Sequence, residues 1–145
     1  MNWLLKKICL YLPYKIISGG CHEQLGSLLI RYFIFRSKYI GVFIHRLLRS
    51  DVRTMHDHPW TFISIILTGE YTEHTLSKHI NNLEVKKVYK RFSILYRPAK
   101  WIHRLEMDKP MWTLVIRFKR TKPWEFFSKT GFVNWKEYNY QGDCE

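Results

Sequence analysis

The chain is 145 residues long, 46% apolar and 17% aromatic, with a formal net charge of +12 and a pI near 9.8. That is the length of one domain, able to bury a core without disulfides and too apolar for a disordered tail. The charge attracts polyanions, but the basic residues are spread along the chain and no nucleic-acid-binding motif accompanies them; nucleic acid is a possible partner the sequence does not favour.

At the N-terminus, Trp3, Leu4, Leu5, Ile8, Leu10, Tyr11 and Leu12 are interrupted by Lys6, Lys7 and Lys15. The longest apolar run, 8–14, is far shorter than the roughly 20 residues of a spanning helix. No small-residue cleavage site follows, so neither a transmembrane segment nor a signal peptide is expected. The pattern suits a basic amphipathic helix, lying on a membrane surface or, as read here, packed on the outside of the domain. Pro13 or Gly19-Gly20 would end it, and a short helical connector is expected around 23–28. Residues 1–28 are therefore an N-terminal helical segment, and 29–145 the main body of a single domain.

From there the period changes. Segments 32–35 and 39–48 are rich in aromatic and β-branched residues; in the second, Ile40, Val42 and Ile44 alternate with Phe43, His45 and Leu47. Segments 62–67 and 71–76 flank Thr68-Gly69 and predict a hairpin, since glycine supplies the positive φ of a tight turn. After a polar tip at 79–82, further short strands are expected at 85–89, 93–96, 102–105 and 112–118. Many short strands with no helical pattern between them imply an all-β sandwich or barrel. Trp124, Phe126, Phe127, Phe132 and Trp135 give the tail too many aromatics to be loose, so it should pack back on the barrel. Cys9, Cys21 and Cys144 form neither a disulfide framework nor a CxxC knuckle, which suits a reducing cytoplasm.

The informative stretch is Thr54-Met55-His56-Asp57-His58-Pro59-Trp60. In extended backbone, residues two apart point the same way, so His56 and His58 project together while Asp57 faces away, toward backbone or Arg53. Imidazoles about 7 Å apart along a strand can converge on one ion where the chain bends, as Pro59 allows. His103, sharing a strand face with Trp101, is the best third ligand. Three histidines with open positions suit Fe(II), Zn, Ni, Cu or Mn.

The segment from His56 to Gly69, an HxH pair, a bend, an apolar strand and a glycine eleven residues after the second histidine, resembles the first cupin motif. The segment from Phe92 to His103, with Pro98 five residues before the third histidine, resembles the second. The two fall within 56–103, and the run from His45 to Asp51, through His56-Asp57-His58-Pro59-Trp60, to Glu73 looks like small cupins of bacteria and phages. The resemblance implies a jelly-roll β-barrel with one metal in its mouth, held by His56, His58 and His103. It also departs from the pattern: Phe62 stands where a glutamate ligand usually falls, and Lys100 replaces the glycine of the second motif's PxG step. What remains is a three-histidine set similar to that of thiol dioxygenases.

Around the metal, Glu73 could be a fourth ligand or an active-site base, or a salt-bridged glutamate; across the predicted hairpin it would lie opposite Ser64. Arg97 could bind a substrate anion or pair with Glu73. Tyr71 could orient substrate or donate a proton, or simply pack. Trp60 and Trp112 are core residues or pocket wall, and His45 is either a support to the metal ligands or a packed histidine. His22, His74 and His79 have no assigned role. The leading expectation is a mononuclear Fe(II) oxygenase of a small anionic or thiol-bearing molecule. The alternatives are a Zn- or Mn-dependent isomerase or hydrolase of a phosphorylated sugar or nucleotide, and a non-catalytic binding cupin. A homodimer is possible, as cupins often pair through the barrel face.

Overall fold

A computed structural model describes residues 2–18, 26–77 and 83–138. A short helix, α1 (Asn2–Cys9), precedes β1 (Tyr14–Ile17), β2 (Leu29–Arg36), β3 (Gly41–Leu47), β4 (Trp60–Thr68), β5 (Glu70–Leu76) and β6 (Glu84–Lys90). The chain continues through β7 (Ile94–Arg97), β8 (His103–Glu106), β9 (Met111–Arg120), β10 (Glu125–Ser128) and β11 (Gly131–Asn134). The first sheet runs β1-β2-β3-β9-β4-β7, and the second runs β6-β5-β8; every pairing is antiparallel. This is the jelly-roll barrel the sequence predicts, with one short helix outside it.

The interior is layered by strand periodicity. Leu47, Ile66, Tyr71, Leu95 and Met111 meet as an apolar floor. Two residues along the same strands, where side chains return to the same face, stand His45, Ser64, Glu73, Arg97 and Thr113, all buried. The polar site is thus one layer above a closed hydrophobic base. The intervening residues point outward: Ile44 and Trp112 form a second cluster with Leu5 and Cys9, which fixes α1 on the outer face of the first sheet.

Three expectations are corrected. Residues 14–17 are a strand, β1, which pairs with β2 from Tyr14↔Tyr32 to Ile17↔Leu29, rather than part of a helix. Pro13, which fits poorly inside a helix, precedes it, and the β-branched Ile16 and Ile17 favour the sheet. Of the expected helical connector, 23–25 lie outside the described residues and 26–28 have no regular structure. The turn at Gly69 does not close a hairpin: β4 pairs with β7 and β9, while β5 pairs with β6 and β8. The chain passes there from one sheet to the other, a corner that looks like a hairpin turn in sequence because both need positive φ. The polar tip at 79–82 lies outside the described residues.

The tail packs as expected. β10 and β11 form a hairpin, and Phe126 is buried with Val52 against Trp124 and Tyr138. Asp57 N donates to Glu125 O at 3.0 Å and Phe127 N to Met55 O at 2.8 Å, so β10 lies alongside the His56 segment. Among the described residues, no helix is long and apolar enough to cross a membrane.

The corner gives a test of the fold. Gly69 has φ +76°, and a Cβ there would sit 2.9 Å from Met111 Cβ, a fully buried floor residue. Gly69→Ala should therefore destabilise by about 1–3 kcal/mol in urea unfolding; a change near zero would contradict this corner geometry.

Candidate metal centre

The His56 segment is not a regular strand, but it is held extended from both sides. His56 exchanges two backbone hydrogen bonds with His103, both 2.9 Å, and His58 N donates to Ala99 O at 3.3 Å. Asp57 points away as expected, to backbone and to a lysine: Oδ1 accepts from Glu125 N at 3.1 Å and Oδ2 from Lys122 Nζ. The alternation of extended backbone thus sends the carboxylate to the tail and both imidazoles to the barrel interior.

The ligand nitrogens of His56, His58 and His103 all lie within 4.8 Å of one another. His58 Nε2 and His103 Nε2 meet at 2.8 Å. Two nitrogens sharing one ion at about 2.0–2.1 Å each stand roughly 3 Å apart, so the donor set fits a single metal. Burial first, then the neighbouring His103 and His56, push the His58 pKa well down, leaving the ring neutral and able to ligate.

Behind this cluster lies a carboxylate knot. Glu73, 2% exposed, accepts from His103 Nδ1 at 2.7 Å, Arg97 Nε at 2.9 Å, Arg97 Nη2 at 2.5 Å and Trp101 Nε1 at 3.2 Å. Burial works to raise its pKa, but the hydrogen bonds and charges of His103 and Arg97 outweigh it and hold the carboxyl below its ordinary value. An ionised carboxylate cannot donate, so His103 carries a proton on Nδ1, and Nε2 is the nitrogen that faces the cluster. Glu73 reaches His103 from the side opposite the converging nitrogens, and the cluster of ligand groups consists of the three histidines. Of the two sequence alternatives for Arg97, the structure shows the pairing with Glu73.

A cavity of about 250 Å³ opens in front of the histidines. Tyr71 and Trp60 line it, as do Phe62, Ser64, Leu95 and Val115. Trp112 points the other way, into the cluster under α1. Burial, with Glu73 nearby, pushes the Tyr71 pKa up, so its hydroxyl stays protonated. His74 is buried on the outer side of β5 and bonds to Glu84 and Arg104, outside the site.

Sequence reasoning did not single out four contributors. Trp101 lies two residues before His103, just ahead of β8, and that spacing was the available signal for its bond to Glu73. Trp124 and Phe126 pack on the His56 ring, at centroid distances of 5.9 and 5.5 Å, and only their aromatic density hinted at it. Arg31, on β2, gave no signal; its neighbourhood appears once β2 and β3 pair.

No family model matches the sequence, and no curated protein matches it. Solved structures do match. An RmlC-like cupin from Shewanella frigidimarina aligns over 78% of this chain and 88% of its own, with a TM-score of 0.57 and 13% identity. Oxalate decarboxylase from Bacillus subtilis aligns over 87% of this chain with a TM-score of 0.55 and 11% identity; this chain spans 30% of its length. Fe(II) HppE aligns over 74% of this chain and 57% of its own, with a TM-score of 0.56 and 11% identity. The fold is that of the cupins.

If Glu73 sets the His103 tautomer, Glu73→Gln should lower metal affinity about 10–100-fold in chelator competition while the far-UV spectrum stays native. Unchanged affinity in a folded variant would remove Glu73 from that role.

Proposed function

We propose that this cupin barrel is a mononuclear metal enzyme, with Fe(II) held by His56, His58 and His103, that oxidises a small anionic or thiol-bearing molecule with dioxygen. The observation that carries the reading is the convergence of three imidazoles, those of His56 and His103 buried and that of His58 partly so, at the wall of a cavity of about 250 Å³. Three protein nitrogens leave coordination positions open, which a purely structural site does not need. Iron so held supplies the redox chemistry on which oxygen activation depends.

The chain's own groups have separable tasks in this reading. Glu73 keeps the His103 proton at Nδ1 and the ring in one orientation, and Arg97 keeps Glu73 ionised. The protonated Tyr71 hydroxyl is available to hydrogen-bond a bound ligand or hand it a proton. Phe62, Leu95 and Val115 wall the cavity with hydrocarbon, which lowers the local dielectric and strengthens the polar contacts beside it.

A second reading is redox-free: Zn or Mn in the same place, polarising an oxygen of a phosphorylated sugar or nucleotide. The net charge of +12 favours it, since such a field draws phosphates. Among the similar folds, HppE is described with Fe(II) and the oxalate decarboxylase with Mn(II) centres, so the fold accommodates either metal.

Anaerobic purification followed by elemental analysis tests both readings. The wild type should carry near-stoichiometric metal, and a His56→Ala/His58→Ala double variant should have lost it. Iron together with substrate-dependent oxygen uptake would support the oxygenase; turnover without oxygen on Zn or Mn would favour the second reading. Failure of the wild type to hold any metal after reconstitution would overturn the metal enzyme altogether.

A further inference from the structure

Among the described residues, the cavity wall contains a cation with no anion bonded to it. Arg31 lines the cavity from β2, where the pairing sets it opposite His45 on β3. Its Nε donates to His45 Nε2 at 2.9 Å, and its guanidinium lies over the Phe43 ring, 5.0 Å from the centroid. Among the described residues, Nη1 and Nη2 have no acceptor and the charge has no carboxylate partner. His45 is held neutral, by burial first and then by Arg31 itself, so it accepts the hydrogen bond without balancing the charge.

The other charges of the lining are accounted for. Arg97 is neutralised by the two-pronged pair with Glu73. Asp51 accepts from Leu105 N at 2.8 Å and lies 4.0 Å from His56 Nε2, on the side of the metal ligands. A divalent ion on three neutral imidazoles adds positive charge, and the cavity is left with cation in excess. A guanidinium withdrawn from water without a counter-ion is costly. Here burial, followed by repulsion from Arg117 and Arg36, lowers the Arg31 pKa to about 10, which still leaves it cationic at neutral pH. An anion arriving with the ligand removes that cost.

We propose that Arg31, aimed by His45, is the subsite for the carboxylate of a small substrate whose other end meets the three-histidine face. This rests on the metal reading above and names the recognition element of the same cavity. Nη1 and Nη2 form one edge of a planar fork, and a carboxylate takes two parallel N–H bonds from such an edge. A phosphate group calls for several donors, and the described lining offers this single uncompensated cation. Arg31 also lines the same cavity as the three metal ligands, His56, His58 and His103. The apolar side chains between, Phe43, Phe62 and Val115, suit a short hydrocarbon spacer.

A pair of near-isosteric probes tests this on Co(II)-substituted protein, where thiolate ligation gives a charge-transfer band. 3-Mercaptopropionate and 3-mercapto-1-propanol share the metal-binding sulfur and differ in the charged end. The wild type should bind the carboxylate about tenfold or more tightly than the alcohol. Arg31→Gln should erase that preference with cobalt content and alcohol affinity unchanged, and Arg31→Lys should keep part of it. Equal binding of the two probes by the wild type, or a preference that survives in Arg31→Gln, overturns the proposal while leaving the metal reading intact. A preference lost in Arg97→Gln and kept in Arg31→Gln overturns it in favour of Arg97. Metal-free protein supplies a second readout: propionate should shift the Nε–Hε resonance of Arg31 there. A shift without cobalt binding would sustain the subsite while the metal reading fell, and no shift and no preference would end the subsite.

Discussion

The contact on which the site depends is the buried carboxylate of Glu73. It sits on β5, in the second sheet, and takes both prongs of Arg97 from β7, in the first. The same carboxylate binds Trp101 and the Nδ1 proton of His103. One side chain therefore ties the two walls of the barrel together and fixes the tautomer of a metal ligand. A buried ion pair adds little net stability once desolvation is counted, and removing one partner leaves the other charge stranded. The pair is better understood as a device that specifies geometry. It keeps the walls at one separation and the His103 ring at one angle.

The other two ligands are positioned differently. His56 and His58 come from an irregular stretch that no sheet includes, so their placement relies on backbone bonds to its neighbours: His103 on one flank, Ala99 and Glu125 on the others. Asp57 completes this by anchoring between them to Lys122 and Glu125. The aromatic tail then covers the His56 ring with Trp124 and Phe126. The tail is thus part of the metal site's wall, and the site is assembled from residues near both halves of the chain. Rigid floor, pinned segment and aromatic cover together limit how far three imidazoles can drift from convergence.

How much of this was legible in the sequence follows from the range of the interactions involved. The alternation of Phe43, His45 and Leu47 against Val42 and Ile44 is local, and it gave the strand and its two faces correctly. The His56–His58 spacing is equally local, and its backbone alternation separated Asp57 from the two rings. Gly69 was legible as a positive-φ turn, but whether such a turn closes a hairpin or changes sheets depends on which partners β4 and β5 find elsewhere. Glu73 nonetheless arrives in the same cavity as Phe62 and Ser64, from the facing sheet rather than the adjacent strand. Residues 14–17 were misjudged because a lysine-studded apolar run fits a helix face as readily as an exposed edge strand. Arg31 was illegible because an arginine in an aromatic strand carries no mark of facing inward until its partner strand is known.

The charge of the site has a thermodynamic consequence. Arg31 and a divalent ion are like charges in one low-dielectric cavity, so each raises the cost of the other. A carboxylate between them would be attracted to both, and would relieve the repulsion each exerts. Linkage then requires that whatever anion binds at Arg31 also tightens the metal, by the same factor by which the metal tightens the anion. Glu73 cannot take that part, because it is already committed to Arg97 and held behind His103. The arrangement thus separates two carboxylate roles that a glutamate-ligated site would merge: one fixed in the protein to orient a ligand ring, and one left for the substrate to bring.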